Sequence, residues 1–179
     1  MHIAFVVPDQ HEALVDLMHE MCVFYSEQAP VSRDDVRSNL HENLLAAGSP
    51  VRIVVASDED RLVGLAAIAQ FHSLVDPSPR RRGQLLLKEL YVRQARQGSG
   101  IGTALMAWVA RHALERGCAR IDWNVSASNR DGLAFYRSLG ALHVAGRLGL
   151  RLAGEPLAQL AAGGSKASTP ASWDGTGSR

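Results

Sequence analysis

The sequence predicts a mixed α/β domain, and three patterns along its 179 residues support this class. Apolar residues recur at helical spacing after residue 10 and again after Gly102. Two apolar runs, 51–56 and 62–71, are joined by a short polar segment and predict a β-hairpin. An apolar run over 85–92 leads through a glycine-rich loop into a helical pattern, as strands do in α/β proteins.

Composition narrows the class of protein. A chain of this length with 46% hydrophobic residues is typical of one globular domain. The formal net charge of +1 gives no field that would attract nucleic acid or an anionic membrane, so neither partner is expected. No apolar stretch approaches the ~20 residues of a membrane helix, and the first residues lack the apolar region of a signal peptide. We therefore expect a cytoplasmic protein.

The two cysteines do not indicate a metal site. Cys22 and Cys118 lie in separate predicted elements without C-x-x-C spacing. His19 shares a helix face with Cys22, but no third ligand accompanies them. No metal is expected.

The N-terminal part predicts a short strand and two helices. Residues 2–7 alternate weakly and indicate a strand. Asp9, with Glu12 three residues later, forms a capping-box pattern and predicts the start of a helix, whose apolar face includes Tyr25 and which Gln28-Ala29-Pro30 ends. Ser32 begins a second helix, which ends at a Gly-Ser-Pro sequence.

After the hairpin, the run 85–92 is predicted as the central strand. Side chains alternate along a strand, so Glu89 and Tyr91 are expected on one face and Lys88, Leu90 and Val92 on the other. Glu89 is its only carboxylate. We therefore consider Glu89 a candidate general base.

The glycine-rich loop predicts an anion site. Gly98, Gly100 and Gly102 precede or open a helix predicted over 100–116, and free N–H groups at a helix N-terminus bind phosphate. No lysine follows these glycines as a Walker loop requires, and Thr103 stands where the dinucleotide fingerprint needs glycine. The loop therefore indicates a phosphate ligand of another kind.

The next elements are a strand over 119–125 and a helix with Asn129 as N-cap, ending at Gly140. Two closing strands are expected at 141–145 and 147–152.

The C-terminal part consists of a short helix predicted over 154–161 and a tail. From residue 163 the composition changes to Gly, Ser, Thr and Ala, which predicts a disordered segment over 163–179.

Three motifs in order resemble the GCN5-related N-acetyltransferase (GNAT) family, and the stretches LLLKELYV (85–92), FYRSLGA (135–141) and RLAGEPLAQLA (151–161) resemble its diamine-acetyltransferase-like branch. The sequence Gln97-Gly98-Ser99-Gly100-Ile101-Gly102 is similar to the family's pyrophosphate loop, and Leu90-Tyr91-Val92 precedes it at the expected distance. Downstream, Asn129 is followed by Phe135-Tyr136 and Gly140 in the spacing of the family's second block. The resemblance implies an acyl-CoA N-acyltransferase domain over 1–162, with a mixed, mostly antiparallel sheet of six to seven strands flanked by helices.

The resemblance also implies site residues. Tyr136 is expected to be the acid that protonates the departing thiolate, with Glu89 as base. The connection after the first helix is expected to contact the acceptor through Tyr25 and Glu27, and His72, at the end of the hairpin, is a further acceptor candidate. The residues expected to bind the coenzyme are Leu90, Tyr91, Val92, Gln97, Gly98, Ser99, Gly100, Ile101, Gly102, Thr103, Asn129 and Tyr136.

The activity implied is transfer of the acetyl group of acetyl-CoA to a primary amine of a small molecule, by direct attack in a ternary complex. A homodimer is also implied. Lys88 replaces the first acid of an acidic pair common in the branch, which disfavours a polyamine acceptor, and Gln97 replaces the commoner arginine. Two alternatives stay open: an N-acetyltransferase acting on proteins or peptides, and a non-catalytic module that binds acyl-CoA.

Overall fold

A computed structural model describes residues 1–25, 31–59, 61–78 and 81–163. The chain forms two compact units, one over Met1–Leu139 and one that begins at Gly140. Each unit is described by itself.

The first unit contains five strands and four α-helices in its described residues. The strands are β1 (His2–Phe5), β2 (Val51–Asp58), β3 (Arg61–His72), β4 (Gly83–Val92) and β5 (Cys118–Asp122). The helices are α1 (His11–Tyr25), α2 (Arg33–Asn39), α3 (Ile101–Glu115) and α4 (Arg130–Ser138). A π-helical turn, Leu40–Leu44, extends α2.

The strands form one sheet in the order β1-β2-β3-β4-β5. The first three pairings are antiparallel and the pairing of β4 with β5 is parallel. The predicted mixed, mostly antiparallel sheet and the β2–β3 hairpin are therefore confirmed. The described residues form five strands, fewer than the six to seven expected.

Helices cover both faces of this sheet. On one face α3 packs its apolar stripe against β3 and β4. On the other face, apolar residues of α1 and α2 pack against the sheet. Leu105 and Val109 of α3 are fully buried, as are Leu14 and Leu17 of α1. Truncating a buried leucine of this kind to alanine costs about 2–5 kcal/mol, so both faces are needed for stability.

The start of the first helix differs from the prediction. A 3₁₀ turn over Pro8–Gln10 precedes α1, and the Gln10 Oε1 atom accepts a hydrogen bond from the Val7 N–H at 3.2 Å. Asp9 is therefore inside the turn and is not the N-cap. Proline suits the first position of a turn because its φ is fixed and it lacks an N–H, so the turn begins before Asp9.

The second helix begins as predicted. The Ser32 hydroxyl oxygen accepts a hydrogen bond from the Asp35 N–H at 3.0 Å, and the Asp35 carboxylate accepts one in return from the Ser32 N–H at 3.3 Å. This reciprocal capping box satisfies two N–H groups at the start of the helix.

The second unit contains a single short helix, α5 (Glu155–Ala161), in its described residues, close to the predicted 154–161. The strands predicted at 141–145 and 147–152 are wrong, because residues 141–152 are described throughout and form no strand. Leu142, Leu148 and Leu150 are 89%, 69% and 72% exposed. Alternating apolar residues predict a strand only where a neighbouring strand completes the hydrogen bonds. The predicted tail lies, from residue 164 on, outside the described residues.

None of the helices in the described ranges combines the length and the apolar character required to cross a lipid bilayer.

Candidate active site

The glycine-rich loop lies at the N-terminus of α3, as predicted. Gly98 and Gly100 have φ values of +75° and +83°, a region that favours glycine, and Gly100 is the N-cap of α3. The first hydrogen bond of the helix runs from the Ala104 N–H to the Gly100 carbonyl at 3.0 Å. The amides of residues 101–103 precede that bond, and such amides lack partners within a helix. The loop therefore presents donors and the positive end of the helix dipole to an anion.

Two polar side chains of this loop form hydrogen bonds with nearby main-chain carbonyls. Gln97 Nε2 donates to the Val92 carbonyl at 3.1 Å, and the Ser99 hydroxyl donates to the Arg96 carbonyl at 2.5 Å. A Cβ added to Gly102 would lie 3.3 Å from the Phe135 ring, so glycine permits the close approach of α4. These contacts fix the shape of the main chain, and the main chain carries the donors.

The strand before the loop has a free edge. β4 pairs with β5 only from Gly83 to Leu86, whose partner is Asp122. From Leu87 to Val92, β4 has no hydrogen-bonded partner on that side among the described strands. An exposed strand edge binds an extended ligand through main-chain hydrogen bonds.

A β-bulge interrupts β4 at Lys88. Glu89 lies opposite Ala67 on β3 and Leu87 lies opposite Ile68, so Lys88 is an extra residue without a partner. Lys88 and Glu89 line the same cavity, and Lys88 Nζ is 3.6 Å from Glu89 Oε1. The prediction that Lys88 lies on the opposite face from Glu89 is wrong, because simple alternation does not hold across a bulge.

A cavity of about 610 Å³, called here the larger cavity, adjoins the loop and the end of β4. Most of the residues predicted to bind the coenzyme line it; Ser99 and Tyr91 do not. Sequence reasoning missed Phe24, Arg96, Asp131 and Gly132, and it noted Phe135 in the motif without assigning it to the coenzyme. The full lining is Phe24, Tyr25, Leu90, Val92, Arg96, Gln97, Gly98, Gly100, Ile101, Gly102, Thr103, Asn129, Asp131, Gly132, Phe135 and Tyr136.

Arg96 brings a cation to this cavity. Its guanidinium contacts the Asp58 carboxylate at 2.6 Å, and this hydrogen bond holds the pKa of Asp58 below its ordinary value. The motif could have indicated Arg96, because Arg96 is next to Gln97 and the family commonly has an arginine at position 97.

The smaller cavity, of about 190 Å³, contains the predicted carboxylate Glu89. Tyr25, Leu90, Asn129 and Tyr136 line both cavities. The members that sequence reasoning did not assign to the site are Leu87, Lys88, Trp123, Asn124, Val125 and Ser126. Trp123 was predicted as a core residue; it is partly buried against the core and also lines this cavity.

Tyr136 lies where the two cavities meet. It is on α4, whose first turn is capped by Asn129 Oδ1 accepting from the Gly132 N–H at 2.8 Å, as predicted for Asn129. Its ring centroid is 4.9 Å from that of Trp123. Burial raises the pKa of Tyr136, and the neighbouring Tyr25 and Glu89 add to this shift. The hydroxyl therefore keeps its proton at neutral pH and can donate it.

Glu89 places a negative charge beside the end of α1. Burial, followed by the charge of Glu89, raises the pKa values of Tyr25 and Cys22. Both residues belong to the last turns of α1, so this helix end faces the carboxylate. Glu89, Tyr25 and Tyr136 are thus brought together at the smaller cavity.

Tyr91 is directed away from both cavities. Its side chain is 2% exposed in the core beneath α1, and its hydroxyl donates to Glu20 Oε1 at 2.9 Å. Burial and this carboxylate raise the pKa of Tyr91. Only the main chain of Tyr91 belongs to the free edge of β4.

The other two predicted acceptor residues are not brought to the site by the described structure. His72 is the last residue of β3, opposite Gly83, and lines neither cavity. It is about 16 Å along the strand from Ala67, the partner of Glu89. Glu27 lies outside the described residues.

In the described part of the chain, no three His, Cys, Asp or Glu side chains are grouped so that they could hold a metal ion. His19 Nε2 is instead 3.0 Å from the Val31 carbonyl oxygen.

Known proteins share this sequence pattern and fold. Thialysine N-epsilon-acetyltransferase of Mus musculus is 36% identical over 83 residues, which are 42% of this chain and 46% of the relative. The Bos taurus protein of the same name is 31% identical over 80 residues, 43% of this chain and 47% of the relative. The matches thus span about half the length of these curated relatives.

A solved structure covers more of the chain. An integron cassette protein from the mobile metagenome of V. cholerae superposes with a TM-score of 0.81 at 28% identity, over 89% of this chain and 96% of that one. The model of the Acetyltransferase (GNAT) family matches residues 14–141, which include every described residue of both cavities. With the phosphate-type loop, the free strand edge and the family model in agreement, the chain belongs to the GNAT family of acetyltransferases.

Proposed function

We propose that the protein transfers the acetyl group of acetyl-CoA to a primary amine of a small molecule, by direct attack in a ternary complex. One observation carries this proposal: a cavity built on a phosphate-type loop and a cavity containing a carboxylate meet at Tyr25, Leu90, Asn129 and Tyr136. A thioester in the larger cavity and an amine in the smaller one would react at that junction.

Acetyl-CoA is held mainly by main chain in this proposal. The diphosphate takes the N–H groups of the loop at Gly98, Gly100 and residues 101–103, and Arg96 adds a cation at the same wall. The pantetheine arm pairs with the free edge of β4 near Leu90 and Val92. Holding both reactants at the junction supplies part of the rate.

Glu89 is the proposed base. An alkyl amine with a pKa near 10 must lose a proton before it attacks, which costs about 4 kcal/mol at pH 7. Among the described residues that line the smaller cavity, Glu89 is the only carboxylate, so it accepts that proton directly or through water.

Tyr136 is the proposed acid. Its raised pKa keeps the phenol protonated, and the departing thiolate, which resembles that of cysteine with a pKa near 8.5, needs a proton. Transfer from a phenol of ordinary pKa 10 to such a thiolate is uphill by about 2 kcal/mol, and the raised pKa of Tyr136 adds to that cost. The transfer therefore accompanies collapse of the tetrahedral intermediate and does not precede it.

The acceptor is proposed to be small. The cavity that contains Glu89 measures about 190 Å³, which suits the end of a small amine. The relatives named for acetylation at the N-epsilon position of thialysine support an amine on a small molecule. Lys88 at the cavity wall disfavours a polyamine, since like charges repel.

Release of free thiol from acetyl-CoA, measured across a panel of primary amines, tests this proposal. We expect amine-dependent release, and we expect the nearly isosteric Glu89→Gln variant to lower kcat/KM by at least about 100-fold. Saturable CoA binding without release for any amine would contradict the proposal and favour a non-catalytic acyl-CoA-binding module. Release with peptides alone would favour a protein N-acetyltransferase.

Two further expectations belong with this proposal. A homodimer follows from the family resemblance, and sedimentation equilibrium of the purified chain tests it: a mass near twice 19.3 kDa is expected. A cytoplasmic location follows from the sequence and stays a prediction.

A further inference from the structure

The bulge in β4 places two opposite charges side by side in the smaller cavity. In a regular strand, neighbouring side chains point to opposite faces of the sheet. Because Lys88 is an extra residue without a partner on β3, its side chain reaches the same cavity as Glu89, with 3.6 Å between Nζ and Oε1. The cavity therefore offers one cation and one anion to a ligand.

Among the described residues that line this cavity, Lys88 and Glu89 are the only ones with charged side chains. The other lining side chains are neutral: Tyr25, Leu87, Leu90, Trp123, Asn124, Val125, Ser126, Asn129 and Tyr136. Lys88 therefore decides how the cavity responds to the second functional group of an acceptor whose amine faces Glu89. A second ammonium would be repelled there and a carboxylate would be attracted.

The ion pair between Lys88 and Glu89 leaves both groups available to a ligand. Their side chains are 63% and 44% exposed, and an ion pair so exposed contributes little to stability. A ligand that brings its own amine and carboxylate can replace this contact at small cost and form two charge-assisted contacts in its place.

We propose that the acceptor is an amino acid or another amine that carries a carboxylate, with its reacting amine at Glu89 and its carboxylate at Lys88. This inference rests on the proposed function and assigns Lys88 as a specificity-determining residue. The two groups of the acceptor lie no more than about 9 Å apart, since charge-assisted hydrogen bonds of about 2.8 Å at each end add to the 3.6 Å between Nζ and Oε1.

A charge series of acceptors tests the proposal. The compounds 5-aminopentanoate, 1-aminopentane and 1,5-diaminopentane have similar chains that end in an anionic, a neutral and a cationic group. With wild-type protein and saturating acetyl-CoA, we expect kcat/KM for thiol release to fall in that order, by about tenfold at each step.

Two variants at the exposed position 88 complete the test. Lys88→Glu is expected to reverse the order of the three amines, and Lys88→Gln to bring their kcat/KM values within about threefold of one another. The KM for acetyl-CoA is expected to stay within about twofold in both variants, because Lys88 does not line the larger cavity. Circular dichroism and the urea midpoint check that both variants are folded.

The outcomes separate this inference from the proposed function. An order that Lys88→Glu leaves unchanged, or equal activity of the wild type on all three amines, would overturn the role of Lys88 while acetyl transfer itself stands. Absence of thiol release with these and every other amine would overturn both proposals.

Discussion

The Tyr91 hydroxyl donates a hydrogen bond to Glu20 Oε1 at 2.9 Å and so joins the strand with the free edge to the helix above it. The Glu20 carboxylate also accepts from Arg93, whose Nε donates to the Leu62 carbonyl at 2.7 Å. This network holds the second half of α1 over β4, where Tyr25 reaches both cavities.

Removal of the Tyr91 hydroxyl tests this link. Tyr91→Phe is expected to lower the free energy of unfolding by about 2 kcal/mol, because a partly buried hydrogen bond to a charged group contributes about 1.5–3 kcal/mol. Urea unfolding measures the change. Tyr25→Phe, at a side chain that is 53% exposed, is the control and should change stability by less than about 0.5 kcal/mol. Equal effects of the two substitutions would contradict the link.

The glycine-rich loop has a matched control elsewhere in the chain. Gly100 and Gly48 have φ values of +83° and +91°, and a Cβ added at either would meet no atom within 4 Å. Alanine at each position should therefore destabilise the fold by a similar amount, roughly 1–2 kcal/mol. Only Gly100 lines the larger cavity, so only Gly100→Ala should weaken CoA binding, by about tenfold, in calorimetry. Equal weakening by Gly48→Ala would mean that the effect is not local to the loop.

Tyr136 is expected to act on the chemical step. Tyr136→Phe should lower kcat by about 100-fold or more, because it removes the proton donor for the thiolate. The affinity for CoA should change by less than about threefold, since the ring and its packing on Trp123 are kept. Steady-state kinetics with calorimetry measure both quantities. An unchanged kcat would remove Tyr136 from the mechanism.

Glu12 links α1 to α2 and makes stability depend on pH. Its carboxylate accepts hydrogen bonds from Arg37 and Arg33, and these lower the pKa of Glu12 to about 2. A pKa lowered in the folded state means that the stabilisation is present above the ordinary value of 4.5 and is lost as the pH falls from there toward 2.

Glu12→Gln should therefore lower the urea midpoint at pH 7 and reduce its fall between pH 5 and pH 2. The effect should be small and should weaken in high salt, because the groups are exposed. Glu115→Gln is the control, since Glu115 on α3 forms no ion pair with the described residues. Identical pH profiles for wild type and Glu12→Gln would contradict this account.

The parts of the fold that depend on local signals could be predicted from the sequence. The hairpin, the Ser32 and Asn129 caps and the loop at the start of α3 each have turn or capping residues within a few positions. Most of the residues that the family resemblance assigns to the coenzyme line the larger cavity, and the candidate residues Glu89, Tyr25 and Tyr136 line the smaller one.

The parts of the fold that depend on partner strands could not be predicted from the sequence. The bulge at Lys88 is a property of the register between β3 and β4, so alternation in one strand placed Lys88 on the wrong face. Residues 141–152 carry the alternation of a strand, but the pattern does not reveal whether a partner is present. Asn124, Val125 and Ser126 line the smaller cavity because β5 ends at Asp122, earlier than predicted.

Amide chemical shifts during a titration with CoA test most directly whether the loop binds the diphosphate. In ¹⁵N-labelled protein, the amides of Gly98, Gly100, Ile101, Gly102 and Thr103 should shift in a saturable manner and more than those on the far side of the sheet. Unmoved loop amides, with saturable shifts confined to another surface or with no shifts at all, would contradict the account.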